Sequence, residues 1–225
     1  MDDNSARRRP GRIRAVFFDL GETLLDESAR YTAWADACGV PRHAFLAVLG
    51  GFAARGRDEA EVAAYFRPAD PPPAPPVAGT PYPDAAPCLA ALRDRGLIVG
   101  LAAAGAGARA EAGPLAGAAD LVTAGVAGTP EYFAAMVVAS GCLPEEILYV
   151  GDRLDVDVRP AVAAGLAAAL IRRGPYGHLH ASGPDAAVAD FRLDGLGALV
   201  DLLDTHNRPR FGPVRLADQG WRGSG

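Results

Sequence analysis

The chain contains no lysine; all 22 of its basic residues are arginine. Chemistry that needs an ε-amine is therefore closed to it. Cysteine is scarce as well: Cys38, Cys88 and Cys142 are odd in number, scattered, and never in CxxC spacing. That argues against a disulfide framework or a thiolate zinc site, and inert thiols in a reducing cytoplasmic setting are expected. Long apolar runs are missing. The most apolar stretches, 97–108 and 161–171, fall well short of the roughly 20 residues a bilayer span needs. The N-terminal segment carries charge but no apolar stretch behind it, so no secretory leader is expected. Excess positive charge is also lacking. A net charge of −5 offers nucleic acid no basic face, and the cluster Arg7, Arg8, Arg9 reads as a solvated tail.

What is present is ordinary for a folded domain: 225 residues, half of them apolar and 22% charged. That suffices for one core and a small second unit. Abundant alanine and glycine, with arginine wholly replacing lysine, point to GC-rich coding and a bacterial source. Segments 1–11 and 205–225 lack periodicity and are expected to be loose tails. Ile13 and the run Ala15, Val16, Phe17, Phe18 lead to Asp19, the pattern of a strand buried on both faces. Over 28–66 the period becomes helical, with helices predicted at 29–37, 41–54 and 58–66. The proline-rich stretch 67–76 can continue neither helix nor central strand and reads as a stiff linker.

Thereafter strand-sized and helix-sized segments alternate. Helices are predicted at 84–95, 130–140 and 156–164, closed by Gly96, Gly141 and Gly165. Strands are predicted at 97–102, 120–123, 146–150, 167–171 and 188–191, with a last helix at 196–203. This alternation predicts an α/β fold, a doubly wound parallel sheet with helices on both faces. The core would comprise 12–27 and 81–204, with 28–80 a small helical insert.

Two acidic positions carry the chemistry. Asp19 stands where an apolar strand gives way to a turn. A second group, Asp152, Asp155 and Asp157, follows another strand at Gly151. Ligand sites of open parallel sheets lie beyond the carboxyl ends of the strands. Carboxylates crowded there repel one another unless a cation neutralises them, and oxygen-only donors suit a hard ion such as Mg²⁺. The competing reading is that Asp152 and Asp157 merely cap and charge the start of a helix; either group alone would leave that reading ahead, and the two together, in this order, favour the site.

The segment Phe17-Phe18-Asp19-Leu20-Gly21-Glu22-Thr23-Leu24-Leu25-Asp26 resembles the first motif of the haloacid dehalogenase superfamily, hhhDxDGTLxD. Val150-Gly151-Asp152-Arg153-Leu154-Asp155-Val156-Asp157-Val158 resembles its fourth, hGDxxxxDh. The likeness runs from about residue 12 to 203, and 28–80 falls where the family inserts a helical cap. The resemblance implies a Rossmann-like core and phosphoryl transfer from a small phosphorylated metabolite through an aspartyl-phosphate. It implies Asp19 as nucleophile and metal ligand. The main-chain carbonyl of Gly21 and the side chains of Asp152 and Asp157 would complete the Mg²⁺ site.

The departures from the family pattern are as informative. The family's acid/base aspartate, two residues past the nucleophile, is Gly21 here. Its phosphate-holding Ser or Thr aligns with Ala103 or Ala104, and its lysine with Ala127. Adjacent Glu22 reads as a solvated or loop-capping residue rather than a stand-in for that aspartate, and Arg153 as a surface arginine or a substitute charge. The missing lysine also removes the Schiff-base variant of the family. Dehalogenases proper lack the second aspartate but need no metal, which would leave Asp152 and Asp157 unexplained. Two functions follow: an Mg²⁺-dependent phosphatase of weak or altered activity, or an inactive member that binds a metal, metabolite or partner. His178 and His180 read as a surface loop rather than a metal site. Tyr31, Trp34 and Phe45 fit a pocket lining or helix packing equally.

Overall fold

The computed structural model describes residues 10–104 and 112–209. Six parallel strands form the central sheet in the order β5-β4-β1-β6-β7-β8. These are β1 (Ala15–Phe18), β4 (Ile98–Ala104), β5 (Leu121–Gly125), β6 (Ile147–Gly151), β7 (Ala167–Ile171) and β8 (Phe191–Leu193). The order reverses at β1, which pairs with β4 on one side and β6 on the other.

The unbroken apolar strands are explained by what covers them. Val16, Phe18, Val99, Leu101, Leu148 and Val150 point to one face. There they meet Leu89 and Leu92 of α4 (Ala85–Asp94) and Leu199 and Leu203 of α8 (Gly197–His206). Ala15, Phe17, Tyr149, Ala168 and Leu170 point to the other. They meet Tyr132, Phe133 and Met136 of α5 (Pro130–Ser140) and Ala161 of α6 (Arg159–Ala163). Alternate side chains of each strand thus enter different, largely apolar layers.

The insert between β1 and β4 leaves and returns through a short antiparallel ribbon. β2 (Leu25–Asp26) pairs with β3 (Thr80–Pro81). Between them lie α1 (Ser28–Cys38), α2 (Arg42–Ala53) and α3 (Ala60–Phe66). Tyr31, Trp34, Phe45, Leu49, Phe52 and Val62 form their own apolar cluster, joined by Tyr176 from α7 (Gly174–Ser182). Tyr31, Trp34 and Phe45 are buried in this cluster, where they pack the helices together. The prolines of 67–79 run without regular structure, and Pro72 accepts a hydrogen bond from Trp34 Nε1 at 3.1 Å.

Three expectations need correction. His178 and His180 lie in a helix, not a loop: Pro175 starts α7 in its first turn, where proline is favoured. The last strand is Phe191–Leu193, because Pro184–Val188 coils into a 3₁₀ turn first. The helix expected at 156–164 begins as a π-helical turn, Leu154–Val158, ahead of α6. At the other end of the sheet Asn207 brackets Ile13, accepting from its N–H at 2.8 Å and donating to its carbonyl at 2.9 Å. His206 Nε2 stands 2.7 Å from the carbonyl of Gly11. The loose tails expected at 1–11 and 205–225 lie mostly outside the described residues, and their described ends are held: the Gly11 N–H donates to the Glu145 carbonyl at 3.1 Å, and α8 continues through His206. Among the described residues, no helix is long and apolar enough to cross a membrane.

Candidate active site

Asp19 continues β1 by one residue: its N–H donates to the carbonyl of Val150 at 2.9 Å. This pairing carries it to the carboxyl edge of the sheet, at the point where strand order reverses. Asp152 follows β6 directly, on the neighbouring strand. Asp157 reaches the same spot by a different route. The π-helical turn bends it back, and its Oδ2 accepts from the Arg153 N–H at 2.9 Å while Oδ1 accepts from Tyr149 OH at 3.3 Å. Gly151 makes room for this. A β-carbon there would land inside the Asp157 carboxyl group.

The structure therefore brings Asp19, Asp152 and Asp157 together, each with an oxygen within 4.8 Å of the others'. Asp152 and Asp157 are buried and Asp19 is partly buried. All three carboxyls are pushed upward from the usual range. Burial is the main cause for each, and for Asp19 and Asp152 the charge of Asp157 adds to it. Asp157 rises to about 6, held down by the Arg153 N–H. Three oxygens converging in a poorly solvated place, each unwilling to ionise beside the others, form a donor set that a small divalent cation fits.

Gly21 lies in the turn after Asp19, bridged to Leu25. Glu22 turns inward with φ +51° and is buried. Its carboxylate accepts from Tyr82 OH at 2.6 Å and from the Glu27 N–H at 3.1 Å. It therefore ties the turn to the ribbon, the capping role expected of it. Arg173, just past β7, secures the same turn: it donates to the Thr23 carbonyl at 2.8 Å, pairs with Asp84, and covers the Tyr82 ring. Sequence reasoning missed Arg173, Tyr82 and Tyr149. Tyr149 looks like any core aromatic in a buried strand, and Arg173 is one of 22 arginines.

Two alanines stand at the positions expected to depart from the family pattern. Ala103 is buried near the carboxyl end of β4. Ala127 lies just before α5 and packs against the apolar layer. Gly128 beside it abuts Val156 of the Asp152–Asp157 loop. Neither alanine side chain can donate a hydrogen bond. Arg153 points away from these gaps, pairing with Asp155 at 2.6 Å and covering the Tyr176 ring at 4.1 Å.

A parallel sheet with this strand order and three aspartates at its switch point defines a class, and the chain's sequence agrees. Residues 13–165 match the haloacid dehalogenase-like hydrolase family, and the chain belongs to it. Over 74 residues it is 40% identical to a glyceraldehyde 3-phosphate phosphatase of Methanopyrus kandleri, a match covering 33% of this chain and 31% of that one. Another glyceraldehyde 3-phosphate phosphatase, from Methanocaldococcus jannaschii, is 33% identical over 73 residues, covering 32% of this chain and 30% of that one. The match thus spans about a third of each curated relative. Among solved structures, a phosphatase of the superfamily from Thermococcus onnurineus superposes with TM-score 0.56 at 22% identity, covering 85% of this chain and 98% of that one. The L-2-haloacid dehalogenase of Xanthobacter autotrophicus with bound chloropropionic acid gives 0.61 at 23%, covering 85% and 98%. At these identities the likeness is one of fold.

Proposed function

We propose that the chain is an Mg²⁺-dependent phosphatase of a small phosphorylated metabolite, working through an aspartyl-phosphate on Asp19. The convergence of Asp19, Asp152 and Asp157 carries the reading. Those side chains and the Gly21 carbonyl would hold the ion, which would screen the charge between an anionic nucleophile and an anionic ester. Asp19, the least buried of the three, would be the carboxylate a substrate meets. Asp152 and Asp157 lie deeper, where they serve as ligands. The names of the curated relatives suggest a three-carbon sugar phosphate as the first ester to try. Helices α1–α3 would act as the cap and the ribbon β2–β3 as its hinge, so that substrate enters and water is then excluded. A cytoplasmic setting suits such a metabolite.

The test is release of inorganic phosphate from a panel of sugar, glycerol and acid phosphates with millimolar Mg²⁺. We expect turnover that Asp19→Asn abolishes. Ala103 and Ala127, which offer phosphate no donor, favour a second reading: a module that binds metal and ligand without turnover. Magnesium-dependent binding of phosphate esters with no Asp19-dependent release would establish that reading and overturn the first.

A further inference from the structure

The main objection to an active phosphatase is Gly21, which leaves the site without the carboxylate that would hand a proton to the leaving group. The space beside Gly21 is not empty. A β-carbon built on it would stand 2.9 Å from Glu27 Oε2, 3.1 Å from Glu27 Cδ and 3.5 Å from Glu27 Oε1. The Glu27 carboxylate thus lies against the point from which an aspartate side chain at position 21 would start. We propose that Glu27, reaching in from the segment that joins β2 to α1, is the proton-transfer carboxylate of this site.

Three observations support the assignment. The charge of Glu27 adds to the upward push on the Asp19 and Asp152 carboxyls, behind burial and the charge of Asp157. Its position is fixed at both ends. The Glu27 N–H is held by Glu22 Oε1 at 3.1 Å, and its Oε2 accepts from Arg30 Nη2 at 2.7 Å. Arg30 also holds Glu59 at 3.2 Å, so the carboxylate is tied to the start of α3 as well as of α1. Finally, the Glu27 side chain is only 18% exposed, which suits a group that exchanges protons with a substrate and not with bulk solvent. Glu22, the adjacent candidate, is consumed by Tyr82 and the Glu27 N–H.

The step balances as follows. An Asp19 oxygen bonds to phosphorus while the bond from phosphorus to the ester oxygen breaks. That oxygen leaves with the proton of the Glu27 carboxyl, as the free alcohol. In the second half the Glu27 carboxylate takes a proton from water as the water oxygen bonds to phosphorus. The bond from phosphorus to Asp19 then breaks, releasing phosphate and restoring both carboxyl groups to their starting state.

The inference rests on the phosphatase reading, and the experiment separates the two. kcat/KM is measured with Mg²⁺ for glyceraldehyde 3-phosphate, whose alkoxide needs a proton, and for p-nitrophenyl phosphate, whose phenolate does not. Glu27→Gln, checked for native circular dichroism, should lower kcat/KM on the alkyl ester by about 10²-fold or more and on the aryl ester far less. Gly21 is not at positive φ, so its backbone accepts a side chain. Gly21→Asp alone should gain nothing, because it crowds Glu27. Gly21→Asp combined with Glu27→Ala should recover most of the loss seen in Glu27→Ala. Equal losses on both esters, or no recovery in the double variant, would mean that Glu27 only holds the loop, and would overturn the assignment. Unchanged kcat/KM in Glu27→Gln would overturn it too while leaving an Asp19-dependent phosphatase standing. No Asp19-dependent turnover of either ester would bring down both readings.

Discussion

At the scale of single residues, the site is defined by what glycine permits and what burial forbids. Gly151→Ala puts a methyl where the Asp157 carboxyl sits, so the side chain or the strand end must move. We expect the variant to fold and to lose Mg²⁺-dependent thermal stabilisation, as read by melting with and without the ion. An unchanged Mg²⁺ response would show that Asp157 is not a ligand. Protonation gives a second prediction. Asp19, Asp152 and Asp157 have raised carboxyl pKa values in the fold, Asp157 about 6. Unfolded aspartates titrate near 3.9. Between about pH 4 and pH 6 and somewhat above, the metal-free folded state therefore binds more protons than the unfolded chain, and these groups make stability fall as pH rises. A cation that needs them ionised should reverse the trend, so its stabilisation should be larger at pH 7.5 than at pH 5. Equal shifts at the two pH values would contradict a site built from these carboxylates.

At the scale of elements, β1 and β4 show why the sheet needs one very small residue. Phe17 pairs with Gly100 across the two strands, and its ring lies over the glycine where a β-carbon would go. Gly100→Ala must push the ring into a packed layer with Tyr149, at a cost of about 1–3 kcal/mol. Chemical denaturation should show this as a lower midpoint with an unchanged slope; a midpoint equal to wild type would mean that the layer relaxes freely. The β2–β3 ribbon is a different kind of element. Its two paired positions are too few to be stable alone, so it depends on Glu22, Tyr82 and Arg173 clamping the turn beneath it. Tyr82→Phe leaves Glu22 with a lost donor at a buried oxygen. This change should loosen the turn and lower the melting temperature, with little effect on the far side of the sheet.

For the whole molecule, the prediction concerns the ion and the fold together. If the three aspartates hold Mg²⁺, a hundredfold excess over Kd stabilises the folded state by about 2.7 kcal/mol, which raises Tm by roughly 5–10 °C for a chain of this size. Asp152→Asn should do two opposite things: raise the metal-free Tm at pH 7.5 by relieving repulsion, and diminish the shift Mg²⁺ produces. A variant that melts lower without metal and responds fully to it would refute the site. The local sequence was enough to place five of the six strands of the main sheet and most of the helices, but neither the last strand nor the β2–β3 ribbon. An apolar run such as Ala15 to Phe18 has one stable home, between two covered faces, and Gly141 and Gly165 follow helices with the positive φ that glycine adopts freely. Asp19 and Asp152 were legible for the same reason, since each stands at the end of such a run. The sequence could not show where side chains go once the chain turns back on itself. His178 looked like a loop residue because its glycine neighbours are local, whereas the helix is fixed by Pro175 and by Tyr176 packing under the insert. Glu27 was invisible as a site residue because it is six positions along from Gly21 and on the far side of a ribbon. Only the pairing of β2 with β3, and the hold of Arg30, bring its carboxylate into the space a glycine leaves open.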